Sequence, residues 1–185
     1  MNMKALLLTS AIAATGLFVS AAHAAPDGTI TVNGQVLAQT CLVDGNAYGT
    51  ADNKTVQLPN VLATTLASAG ATAGKTGFNI AITGCDLALK TVQTYFSGGD
   101  INSSNGHLDN SSTAAAVAGN VQVQLLNASG AAMDLSQANA TAQNSQVVSL
   151  SNGNATMSYF AQYFATGAAS PGAVKSTVSF TMIYQ

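Results

Sequence analysis

The chain has no tryptophan, no arginine and no glutamate; its charge comes from five lysines and seven aspartates, and only 6% of its 185 residues are charged. A soluble domain ordinarily carries about 25%. Without arginine or clustered lysine it has little means of gripping a phosphate backbone, which excludes nucleic acid as a partner. The missing glutamate confines any paired-carboxylate chemistry to two of seven aspartates, each beside Gly, Asn or a turn, where turn formation is the commoner use. Histidine is nearly absent too. Past the first residues only His107 remains, too few for a zinc ligand set, and no G-x-S-x-G elbow exists to carry a serine nucleophile. His107 lies near Ser104 and Asp109 in a Gly/Asn/Ser-rich stretch and is expected to be solvated. No catalytic residue, metal site or cofactor is assigned, so the chain is read as a non-enzyme.

What is present starts with the leader. Lys4, the apolar runs Ala5 to Leu7 and Ala11 to Val19, and then Ala22-His23-Ala24 follow the positive, hydrophobic, small-residue order of a secretory signal peptide. Residues 1–24 are therefore expected to be removed, with the apolar run too short and interrupted to span a bilayer. Residues 25–185 suit one domain, with no charged or Pro-rich linker to divide them. Export also decides the cysteine chemistry. Cys41 and Cys85 are the only pair, and in an oxidising compartment they read as one disulfide. Closing a loop of about 44 residues stabilises a fold by roughly 4 kcal/mol on the chain-entropy argument.

Hydrophobic residues make up 48% of the chain, and they recur with a strand period. In Gly28 to Val36, Ile30 and Val32 share one face and Thr29, Thr31 and Asn33 the other. Further strands are expected at Thr55–Leu58, Phe78–Thr83, Thr91–Phe96, Val121–Leu126, Gln146–Leu150, Ala155–Ala165 and Val174–Tyr184, separated by Gly, Asn and Ser clusters. Many short strands with turn signals predict an all-β sandwich. Val61 to Ala69 has the composition for a turn or two of helix, and residues 98–118 read as a surface loop region. Ala69 to Thr76 approaches the phosphate-binding pattern G-x-x-x-x-G-K-[ST], but Ala69 stands where the first Gly is needed and a strand follows, so it reads as a turn into that strand. At the C-terminus Val178, Phe180, Met182 and Tyr184 alternate on one face, ending beside Gln185.

Taken in order, four pieces resemble the type 1 fimbrial subunits assembled by the chaperone-usher route, most closely a major shaft subunit. They are Gly28-Thr29-Ile30-Thr31-Val32-Asn33-Gly34-Gln35-Val36 before Cys41; Val56-Gln57-Leu58-Pro59-Asn60-Val61; Gly74-Lys75-Thr76-Gly77-Phe78-Asn79-Ile80 before Gly84-Cys85; and Tyr163 to Ala173 before the Phe180 to Tyr184 ending. The resemblance implies an incomplete immunoglobulin-like sandwich lacking its last strand, completed by a donor strand from a partner. On that reading residues 25–34 are an N-terminal extension, with Gly28, Ile30, Val32 and Gly34 seated in the groove of the next copy, and residues 35–185 are the subunit domain. Val178, Phe180, Met182, Tyr184 and Gln185 would line the groove edge and meet a periplasmic chaperone. The implied partners are identical or related subunits, that chaperone and an outer-membrane usher. The implied location is the extracellular fimbria, reached through the periplasm, and the implied role is a shaft for cell adhesion. A minor adaptor subunit and a small adhesive module are the alternatives.

Overall fold

The computed structural model describes residues 41–47 and 53–185. Among them run β1 (Leu42–Val43), β2 (Asn46–Ala47), β3 (Thr72–Thr83), β4 (Thr91–Ser97), β5 (Leu108–Asp109), β6 (Val121–Leu126), β7 (Val147–Ser149), β8 (Ala155–Ala165) and β9 (Ser179–Tyr184), with one 3-10 turn at Ala63–Leu66. Six strands form a sheet in the order β2-β1-β3-β8-β6-β5, and three form a second sheet in the order β7-β4-β9. The strand pairs are antiparallel.

Period-two alternation explains how the sheets face each other. Ile80 and Ile82 of β3, Val123 and Leu125 of β6, and Met157, Tyr159 and Ala161 of β8 share one buried cluster with Val92 and Phe96 of β4. Phe180, Met182 and Tyr184 of β9 pack against the same cluster. Tyr159 joins the layers: its ring stacks 5.7 Å from Phe78 and meets Phe96 of the opposite sheet edge-on at 5.3 Å. Such ring pairs add about 0.5–1.5 kcal/mol beyond the area they bury. Its buried hydroxyl is partnered by Ser145 Oγ at 2.9 Å, so the large ring is buried without stranding a polar atom. The Cys41–Cys85 disulfide ties the residue before β1 to the turn after β3.

β7 covers only the first residues of β4, pairing with Thr91, Val92 and Gln93. Beyond that point a side chain takes over. The fully buried Gln143 accepts the Phe96 N–H at 3.0 Å through Oε1 and donates to the Phe96 carbonyl at 2.7 Å through Nε2, so one primary amide does the work of a strand residue.

Three expectations change. Residues 98–118 are not simply a surface loop: Asn102 to His107 closes a tight turn, and β5 pairs with β6 at Leu108↔Val123. His107 is consequently not solvated. Only 8% exposed, it lies 4.2 Å from the Phe164 ring, with Nδ1 3.3 Å from Gln122 Oε1 and Nε2 3.0 Å from Gln124 Nε2. The turn that carries it onto the sheet is built from Asn, Ser and Gly, so local composition hid its burial. Residues 55–58 form no strand and pair with no described strand. The turn of helix expected within Val61 to Ala69 is present as the 3-10 turn Ala63–Leu66. The turn reading of Ala69 to Thr76 holds: Gly70 sits at φ +84°, and β3 begins at Thr72 with no helix following.

Candidate strand-acceptor groove

Between residues 53–58 and residues 174–180 lies a groove of about 610 Å³. Phe78, Ile80, Phe96, Leu125 and Ala161 form its floor, the same apolar residues that face each other across the sandwich. Val56 and Leu58 lean inward from the first wall, Val178 and Phe180 from the second. Lys54 pins the first wall at its start, its ammonium donating to the Asn79 carbonyl at 2.5 Å and lying 2.8 Å from the Asp44 carboxylate.

The second wall has one side paired with β4 and one side that meets no described strand. β9 pairs with β4 from Ser97↔Ser179 to Val92↔Tyr184. Thr91 and Gln185 exchange both backbone bonds, at 2.9 and 3.0 Å. In an antiparallel ladder such pairs alternate with pairs that exchange none. Ile183, Thr181 and Ser179 therefore spend their backbone groups on β4, whereas Tyr184, Met182 and Phe180 turn their N–H and C=O groups the opposite way. No described strand pairs with that edge.

Upstream of β9 the chain is held by the loop of residues 98–111. The Asp100 carboxylate accepts from the Thr177 N–H at 2.6 Å, the Thr177 hydroxyl at 3.0 Å and the Ser111 hydroxyl at 2.8 Å. Asn110 accepts the Lys175 N–H at 3.0 Å and donates to the Ala173 and Ala118 carbonyls, each at 3.0 Å. Backbone bonds from Asp100 N–H to the Thr177 carbonyl and from Ser111 N–H to the Lys175 carbonyl complete the attachment. Gly99 permits this approach. It has φ +64°, and a β-carbon there would collide with the Thr177 carbonyl. Burial pushes the Asp100 carboxyl upward, but the hydrogen bonds from Thr177 and Ser111 and the charge of Lys175 outweigh it and hold it below the ordinary range. Burial of Tyr184 raises its phenol.

The expected groove-edge residues Val178, Phe180, Met182 and Tyr184 thus share one core-facing stripe, and Gln185 ends exposed, paired with Thr91. Gly28, Ile30, Val32 and Gly34 lie outside the described residues. Sequence reasoning did not find the opposite wall at residues 53–58 or the Asp100–Asn110 attachment. The Val56/Leu58 alternation carried a signal for the first; the second had none, since Asp and Asn in a Gly-rich stretch look like turn formers. Among the described residues no three His, Cys, Asp or Glu side chains converge as a metal set.

The FimA family, described as type-1 fimbrial protein A, matches residues 58–185. The F17 fimbrial protein of Escherichia coli is 44% identical over 172 residues, covering 90% of this chain and 92% of that protein. In fold, the chain is similar to the P pilus rod subunit PapA, with a TM-score of 0.58 at 17% identity over 79% of this chain and 99% of that one. It is likewise similar to a subunit in the structure of a chaperone-usher pilus, with a TM-score of 0.56 at 20% identity over 89% and 100%. The all-β sandwich, the matched family profile and the extent of identity agree: the chain belongs to the type-1 fimbrial protein family and is a structural subunit of a surface fimbria.

Proposed function

We propose that this subunit polymerises by donor-strand complementation to build the fimbrial shaft. The observation that carries the reading is an edge of β9 that no described strand covers, beside an apolar groove. An uncovered edge of this kind invites uncontrolled association unless a strand occupies it, and strand addition to such an edge is the recurring mode by which pilins are completed. In this scheme residues 1–24 are a leader removed on export, and residues 25–34 are the donor. Ile30 and Val32 enter the groove of the next copy, each worth roughly 1.5–3 kcal/mol when buried. Gly28 occupies a position where backbone must approach closely, and Gly34 ends the segment. A periplasmic chaperone covers the groove before assembly, and an outer-membrane usher receives the subunit. The family is one of structural proteins, and no reaction is assigned.

Deleting residues 25–34 is expected to give a subunit that is still recovered with its chaperone but enters no fibre, and Gly28→Leu is expected to do nearly the same. Fibres of normal yield and length from the deleted chain, seen by electron microscopy, would overturn the reading.

A further inference from the structure

We infer that Asp100 and Asn110 stand in for strand residues and lengthen the acceptor edge beyond β9, back to Val174. This rests on the donor-strand reading and adds to it which residues set how much of the donor can register.

From 173 to 185 every odd residue is tied on one side. Ala173 bonds Ala116 and Ala118, Lys175 bonds Asn110 and Ser111, Thr177 bonds Asp100, and Gln185 bonds Thr91. Ser179, Thr181 and Ile183 take the β4 register between them. An extended chain alternates, so the even residues from Val174 to Tyr184 all present their backbone groups to the side that no described strand occupies. The side chains of Val174, Val178, Phe180, Met182 and Tyr184 pack on the core and the Ser176 hydroxyl donates to the Asp109 carbonyl, while Lys175, Thr177, Ser179 and Thr181 are exposed. β9 itself begins only at Ser179 because the amides of Lys175 and Thr177 are held by side-chain oxygens in place of a neighbouring strand.

The usable edge is therefore 174–184, about 33 Å of extended chain. The donor segment proposed above, residues 25–34, is of matching length. β9 alone would meet little more than half of it.

The test uses the subunit in complex with its chaperone and a synthetic peptide of residues 25–36, with versions shortened by four residues from either end. Wild-type complex is expected to take up the full peptide faster than one shortened version, because that version fails to reach the edge at 174–178. Asp100→Ala is expected to remove this advantage, with full-length uptake slowed by about tenfold as the edge loses its fixed conformation. Asp100→Asn, which keeps an acceptor oxygen, is expected to restore most of the rate. Amide hydrogen exchange should rise at Lys175 and Thr177 and stay unchanged at Thr181 and Ile183, which a general loss of stability would not produce. Asn110→Ala provides a second variant, with the exchange effect expected at Lys175. Wild type that takes up no peptide would sink the donor-strand reading. Wild-type uptake combined with an unaltered length dependence in both alanine variants would overturn the inference and leave that reading standing.

Discussion

The ring of His107 gives a proton on one side and receives one on the other. The Gln124 amide donates to Nε2, and Gln124 Oε1 accepts from Gln162 at 2.8 Å, so Nε2 carries no hydrogen and Nδ1–H donates to Gln122 Oε1. Protonating Nε2 would set a donor against a donor, and flipping Gln124 would break its bond to Gln162. Burial lowers the His107 pKa, with the Gln122 bond and the Asp134 charge opposing it; Asp109 stands one bond further away, on Gln122. Because the folded value lies below the unfolded one, the unfolded chain binds more protons in the window between them. Stability is complete above the unfolded value of about 6.5 and is lost as pH falls from there through the folded value. Thermal melting is expected to show that fall, and His107→Gln to flatten it. An identical pH profile for the variant would contradict the assignment.

At the scale of elements, the strand expected to matter most is β9. Phe180 faces the groove while its neighbours Ser179 and Thr181 are exposed. Phe180→Asp places an unpaired charge on the apolar wall of that groove, at a cost of several kcal/mol. Recovery of the chaperone complex is expected to drop at least tenfold; undiminished co-purification would tell against the groove. Alternation made β6 and β8 legible to the residue, because both strands are long, apolar on one face and bounded by turns. It failed where hydrogen-bonding partners are not strands. Val174–Tyr184 was expected as one strand and appears as β9 with a stretch tied by side chains before it, while residues 55–58 alternate as a strand would but pair with no described strand. Pattern reports which side chains face the core and is silent on what meets the backbone. For the same reason Asp100, Asn110 and Gln143, whose importance lies in the amides they satisfy, could not be picked out.

For the whole molecule, composition was informative in a different way. Two cysteines with no others in the chain pointed to one disulfide, and Cys41 and Cys85 are bonded. The wall pair around the groove needed coordinates, because its halves are more than a hundred residues apart in the chain.

The disulfide also decides how a subunit carries tension. In a fibre joined through residues 25–34, pull arrives along the chain at Cys41 and crosses the sulfur bridge directly to Cys85. The 44-residue separation between them, holding β1, β2, the first groove wall and β3, is taken out of the path of force. On the donor-strand reading, the wall that would hold the incoming strand is thereby kept from being peeled away by that strand. Single-molecule stretching of oxidised fibres is expected to lack an unravelling step that reduction adds, about 150 Å of released contour per subunit. Equal contour lengths before and after reduction would show that the load runs elsewhere.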